Sequence, residues 1–231
     1  ARLNEADGSL DTTFRLERFI RSVNHVVPLA DGKLLAAVRV GDVDAVGRLL
    51  ADGTLDESFT PAFFARSVRF ITLQSDGKVL VAATDNRSVN APSGTLANAG
   101  PVILRLNAAG TQDTSFNVTL NDGAVLFAPP VVDSTGRVHL AGLFSSVNGT
   151  ARVNIARVSS AGVLDTAFAD PATVPGFGSN QARAVLLQSD GNVVVLGDFR
   201  STSRGTFSDP MMAIRFTAAG AFDGTYARPL R

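Results

Sequence analysis

The 231-residue chain has no cysteine, no tryptophan, a single tyrosine and only two histidines. Without cysteine there are no disulfides, no zinc–thiolate sites and no thiol nucleophile. The compartment stays open, because a large core needs no covalent staple even outside the cell. Charge of one sign is also missing: 21 basic side chains balance 21 acidic ones. No run of Lys and Arg occurs, so nucleic acid is not expected as a partner, nor is an anionic membrane surface. No apolar stretch approaches the roughly 20 residues that span a bilayer, so no membrane insertion is expected. A signal peptide is not visible, and Ala1-Arg2-Leu3 looks like the middle of a repeat. The sequence therefore reads as a processed product or an excised fragment.

What is present is enough apolar material for a core, 45% against 18% charged, arranged in copies. One motif runs Arg-apolar, a short polar stretch, then Gly-x-x-Asp-x-x-Phe. It occurs at Arg2/Gly8/Asp11/Phe14, Arg48/Gly53/Asp56/Phe59, Arg105/Gly110/Asp113/Phe116 and Arg157/Gly162/Asp165/Phe168, and with tyrosine at Arg215/Gly220/Asp223/Tyr226. The glycines lie 45, 57, 52 and 58 residues apart. Between successive copies falls a second motif: an alternating apolar run, a turn, and another apolar run. Its turns are Asp31-Gly32-Lys33, Asp76-Gly77-Lys78, Thr135-Gly136-Arg137 and Asp190-Gly191-Asn192.

Asp-Gly between aliphatic runs is a strong hairpin signal, since glycine accepts the positive φ such turns need. Lys33 and Lys78 would keep the hairpin end soluble. In the first motif the arginine precedes the glycine by five residues (six in the first copy), and the aspartate follows by three. Folded about the turn, the two become cross-strand neighbours able to form an ion pair, with the phenylalanine as a core anchor. Each unit thus supplies two hairpins, or four short antiparallel strands, that cannot bury both faces alone. No 3.6-residue periodicity of helix length appears. The expected fold is all-β: a β-propeller, or a propeller segment, of four-stranded antiparallel blades, with four full repeats and a half repeat. Units of approximately 15–59, 60–116, 117–168 and 169–226 follow a half unit at 1–14, within one domain over 1–231. The first motif occurs five times and the second four, so a fragment of a larger propeller is favoured over a small closed ring.

The alternation of Leu73-Gln74-Ser75-Asp76-Gly77-Lys78 with Arg105-Leu106-Asn107 through Phe116 resembles the delta-60 repeat family of large bacterial surface and secreted proteins. The resemblance covers essentially the whole chain. It implies a propeller-like fold and an extracellular or cell-surface location, and it brings neither catalytic residues nor a cofactor. Tyr226 departs from the pattern, as do Ala36-Ala37, Ala82-Ala83, Ala141-Gly142 and Leu196-Gly197, where the family has paired glycines.

Chemistry is sparse. A residue type that recurs in every unit serves the unit, so the Arg/Asp pairs read as hairpin ties rather than a ring of ligands. The acidic turns at Asp7 and Asp52 lack the alternating oxygen ligands of a calcium loop, and no metal or other cofactor is expected. Nothing in the motif layout converges on His25 or His139, no catalytic residue is assigned, and Asn148-Gly149-Thr150 reads as a turn rather than a glycosylation site. The variable connections are Arg39–Ala45, Asp85–Gly100, Leu143–Arg152 and Asp198–Pro210, which should emerge on one face and carry function. Phe199, Arg200, Arg204 and Phe207, with Arg87 and Asn90, are the candidate contacts for a protein or glycan partner. The expected function is a non-enzymatic structural or adhesive module. The alternatives are a carbohydrate-binding or carbohydrate-active propeller, with Asp85, Asp198 and Asp209 as scattered acidic candidates, and a subunit whose open sheet edges meet other chains or missing blades.

Overall fold

The computed structural model describes residues 2–64, 67–83, 101–170, 181–200 and 210–226. Its elements are strands paired antiparallel throughout. The first sheet contains β1 (Ile20–Pro28), β2 (Leu34–Val40), β3 (Val43–Leu49) and β4 (Ala62–Phe64) in chain order. The second repeats that order with β5 (Phe70–Leu73), β6 (Val79–Ala83), β7 (Val102–Leu106) and β8 (Gln112–Thr119). In the third, β9 (Val125–Leu126) and β10 (Val131–Val132) pair with opposite ends of β11 (Val138–Leu143). A small hairpin of β12 (Ser146–Val147) and β13 (Thr150–Ala151) follows, and β14 (Ile155–Val158) completes the sheet on β11. The fourth contains β15 (Ala182–Leu187), β16 (Val193–Arg200) and β17 (Pro210–Phe216).

The two motifs of the sequence are the two hairpins of each unit. The turn glycines of the first hairpins, Gly32, Gly77, Gly136 and Gly191, sit at φ between +80° and +82°. Most second hairpins close on little ladder. In three full units one isolated bridge does it, Leu49 to Leu55, Val158 to Leu164 and Phe216 to Phe222, whereas β7 and β8 pair at length in the second. Sequence unit and sheet are offset, since β4 lies beyond Phe59 yet pairs with Asp44–Val46 of β3.

The sheets pack face to face, which explains why the middle strands are apolar without interruption. On β2, Leu35 and Ala37 face the second sheet with Phe59, Ile71, Val81 and Leu104. Ala36 and Val38, pointing the other way, pack with Ala45 and Leu49. Leu80, Ile103 and Phe116 then meet Val138, Leu140 and Ala156 of the third sheet, and Ile155 and Phe168 meet Val195, Ile214 and Phe216 of the fourth. The motif phenylalanines Phe59, Phe116 and Phe168 are fully buried, each adding about 1.5–3 kcal/mol by area alone.

Three of the four connections differ from the expected loops. Arg39–Ala45 is a tight hairpin in which Gly41, at φ +60°, takes the first corner between β2 and β3, as two-residue turns require. Leu143–Arg152 carries the β12–β13 hairpin, with Asn148 and Gly149 at its tip. Phe199 and Arg200 are strand residues, not loop residues. A register slip between Leu196 and Phe199 absorbs Gly197-Asp198, and pairing resumes with Phe199 opposite Met211 and Arg200 opposite Pro210. Gly-Asp suggested a loop start; a bulge accommodates it instead. Asp85–Gly100 lies outside the described residues.

Candidate functional site

The most regular polar structure is the motif cluster. In the second unit the Arg105 Nε donates to Asp113 Oδ2 at 2.8 Å, and the guanidinium stacks 4.8 Å from the Phe116 ring centroid. The other oxygen, Oδ1, accepts from the Ser115 backbone N–H and hydroxyl at 3.0 and 2.6 Å. Lys78 comes from the first hairpin to give a second cation, 2.8 Å from Oδ2. Asp56 is held in the same way by Arg48, Lys33 and Ser58. These lysines therefore also tie the two hairpins of a unit together, because their long stems reach the carboxylate across the sheet end. The Lys78 and Ser115 hydrogen bonds hold the Asp113 carboxyl well below its ordinary range. The pairs Arg2–Asp11, Arg157–Asp165 and Arg215–Asp223 close at 2.6, 2.7 and 2.6 Å.

Four of the five motif arginines also reach forward to the next unit. Arg48 Nη1 donates to the Ala108 carbonyl at 3.3 Å, Arg105 to Ser160 at 2.7 Å and Arg157 to Ala218 at 2.9 Å, while Arg2 reaches Ala51. Every acceptor lies two residues before the motif glycine of the following copy. The backbone adds parallel links, such as Thr60 N–H to the Ala109 carbonyl at 2.8 Å and Ala169 N–H to Gly220 at 2.8 Å. The recurring charges are thus consumed in holding units to themselves and to one another.

The acidic turns cap themselves: Asp7 Oδ1 accepts from Ser9 N–H at 2.9 Å, and Asp52 Oδ1 from the Thr54 N–H and hydroxyl at 2.9 and 2.7 Å. Asn148, at φ +51°, bonds the Thr119 N–H and the Gly162 carbonyl at 2.9 Å each. His139 is buried edge-on to Phe168, with Nε2 3.3 Å from Asp133 Oδ2. His25, half-buried, lies edge-on to Phe70. Burial lowers the pKa of both imidazoles, and Asp133 partly opposes this at His139. Among the described residues no three of His, Asp and Glu gather to hold a metal ion.

A non-repeating polar feature lies where the first sheet meets the second. Asp44, on β3, is fully buried. Its Oδ2 accepts from the Asn24 amide at 3.1 Å, the Ser67 hydroxyl at 2.7 Å and the Val68 backbone N–H at 2.9 Å. Its Oδ1 accepts no hydrogen bond and lies 3.8 Å from Arg39 Nε. Its partners Asn24, Ser67 and Val68, with Ser22, Arg39, Arg69 and Phe70, border a cleft of about 360 Å³ that Asp44 itself does not line. A larger hollow of about 450 Å³ lies between the Asp133 and Asp190 turns. There Asp133 is taken by Arg137 and Thr135, and Asp190 by Asn192.

Among the described residues, none of the candidate contacts singled out from the sequence borders this cleft. Phe199 and Arg200 are on β16 in the fourth sheet, while Arg87, Asn90, Arg204 and Phe207 lie outside the described residues, as do Asp85 and Asp209. Asp44 escaped sequence reasoning, yet a signal existed. Four residues before the motif arginine the other full units have Pro101, Val153 and Met211, and only this one has a charge.

Three stretches, 29–59, 74–116 and 134–168, match a β-propeller family described as a domain of unknown function (DUF5122). The matches fall on three successive sets of the two hairpin motifs and support a β-propeller repeat family. No curated protein matches the chain. A crystal structure of a protein of unknown function from Bacteroides caccae aligns over 98% of this chain and 90% of its own, at 11% identity and a TM-score of 0.41. That likeness is too slight to bear on fold or function.

Proposed function

We propose that the chain is a non-enzymatic module of a secreted or cell-surface bacterial protein, a rigid run of propeller blades whose surface binds a protein or glycan partner. The observation that carries this reading is the forward tie of four motif arginines to the next turn, from Arg2 to Ala51 through Arg157 to Ala218. Side chains spent on linking units build a scaffold, and binding is left to what does not repeat. The bacterial surface location and the membership among delta-60 repeats rest on the resemblance of the doubled motif. A propeller larger than the four sheets, with 1–231 as one repeat domain, belongs to the same reading.

A carbohydrate-directed role is the second reading, and the open polar cleft bordered by Asn24, Arg39, Ser67 and Arg69 favours it in its binding form. Hydrolysis would need two carboxylates flanking one bond, and among the described residues no carboxylate lines the cleft. The test is to incubate the chain with a panel of polysaccharides while screening it on glycan and bacterial-surface protein arrays. Capture of a partner without release of reducing ends is the expected result; turnover of any polysaccharide would sink the non-enzymatic reading.

A further inference from the structure

We propose that the half unit Arg2–Phe14, together with the outward face of the first sheet, is a docking surface for the first hairpin of a further repeat, a strand, an Asp-Gly-Lys turn and a strand. In every full unit the residue after the motif arginine pairs with the strand that follows the first turn. Leu49 lies opposite Leu34, Leu106 opposite Val79, Val158 opposite Val138 and Phe216 opposite Val193. All four are buried. Leu3 holds the same place beside Arg2, yet it is 64% exposed, and its one ladder partner among the described residues is Leu10. The half unit is nonetheless seated as the full ones are. Arg2 reaches the Ala51 carbonyl, and the Arg15 N–H donates to the Asp52 carbonyl at 2.7 Å, as the Thr60 N–H does to Ala109 at 2.8 Å. It therefore presents a strand edge at a position that is covered in four other copies, and an exposed edge takes up a further strand.

The other junctions show what covers such a place. Six residues before the turn glycine, Ile71 and Val185 are buried. Ile71 shares its apolar layer with Val27 and Leu35, and Val185 with Val131 and Ala141, all from the first hairpin of the preceding unit. Val26 holds that position in β1 and is 42% exposed. One hairpin laid in front of the first sheet covers Leu3 and Val26 together. Charge selects its turn. Asp56 and Asp113 each meet two cations, the motif arginine and the lysine after the Asp-Gly turn, the lysines at 2.9 and 2.8 Å. Among the described residues Asp11 meets one, Arg2, and a lysine after the docked turn supplies the second. The segment Phe70–Ala83 has this pattern. A hairpin of that sequence, set in the register of the second sheet, places its Val79 opposite Leu3 and its Leu80 opposite Arg2, as they stand opposite Leu106 and Arg105. Its Lys78 then reaches Asp11, and its Leu80 and Ala82 turn to Val26, as Leu35 and Ala37 turn to Ile71.

The inference rests on the reading of the chain as a run of propeller blades and names the element that extends it, and the two can fail separately. A chain that captures a glycan or a surface protein but ignores the hairpin loses only this docking surface. The experiment titrates the whole chain into a fluorescently labelled peptide of the sequence Val68–Ala83, followed by anisotropy and by hydrogen exchange on the chain. It is repeated with the Lys78→Glu peptide and with the chain variants Leu3→Asp and Val26→Asp, whose side chains are exposed and whose replacement spares the fold. The peptide is expected to bind and to slow exchange of the Arg2–Asp11 amides at least tenfold. Each chain variant should weaken binding at least tenfold, and the charge-reversed peptide should bind at least threefold more weakly. No binding, undiminished binding to both variants, or slowed exchange only elsewhere on the chain would each overturn it. Sedimentation of the chain alone tests the rival occupant: a dimer that both variants dissolve would make a second copy the partner and overturn the hairpin assignment.

Discussion

His139 is the residue whose chemistry departs furthest from what its neighbours in sequence suggest. It stands in an apolar strand, and its ring is buried against Phe168 with Asp133 at one nitrogen. Burial lowers its pKa below the ordinary 6.5, and burial does the same to His25. The folded chain therefore holds both rings neutral where the unfolded chain already takes up protons. Below pH 6.5 the unfolded state binds more protons, so stability falls with pH, by at most about 1.4 kcal/mol per unit for each excluded proton. The carboxylates act lower. Asp11, bonded by Thr13 and Arg2, and Asp223, bonded by Thr225 and Arg215, are held down at about 2 from 3.8. Their contribution is complete above pH 4 and disappears between about 4 and 2. Thermal melts from pH 8 to 2 should show a first decline beginning near 6.5 and a second below 4. Replacing both histidines by glutamine should remove the first and leave the second, and a first decline that persists would contradict this account. The Arg–Asp pairs were legible in the sequence because both partners flank one turn at fixed spacing. The part of Lys33 and Lys78 was not, because they arrive from the other hairpin, 23 and 35 residues from their carboxylates.

At the scale of the element, the second hairpin is held by its turn as well as by its ladder. Gly110 shows why the glycine is needed there. It lies at φ +92°, and a Cβ would stand 2.1 Å from the Thr60 carbonyl oxygen, which belongs to the backbone leaving the preceding motif. Gly8 is at φ +68° with nothing within 4 Å of the same atom. Alanine at Gly8 should cost only the left-handed backbone term, about 1–2 kcal/mol. At Gly110 the overlap adds to that term and should bring the loss to roughly 3 kcal/mol or more. Urea denaturation of the two variants measures the difference, and equal losses would mean that the turn is not clamped between units. The sequence announces a turn glycine at both places. It does not distinguish a free turn from a clamped one, because the clamping atom belongs to the previous copy. The same limit hid the bulge that keeps Phe199 and Arg200 in β16, since Gly197-Asp198 reads as a loop start unless the opposite strand is known.

Across the whole molecule, consecutive sheets share an apolar layer and an arginine tie, so stability is a sum over units and junctions rather than a property of one centre. Arg105 is the junction best suited to a test, because it pairs with Asp113 in its own unit and donates to Ser160 in the next at 2.7 Å. In hydrogen exchange the slowest amides should belong to β6 and β7, buried along their whole length. The fastest among the described residues should lie in the exposed half unit Arg2–Phe14, whose one ladder bridge is Leu3 to Leu10. Arg105→Ala should speed exchange in β7 and β8, and also in β14, which leads into the turn of Ser160. Faster exchange confined to the second sheet would mean that the ties are local and that the apolar layers alone join the units. Faster exchange on both sides would identify the forward arginine as the coupling between one blade-like sheet and the next, a role no single copy of the motif reveals.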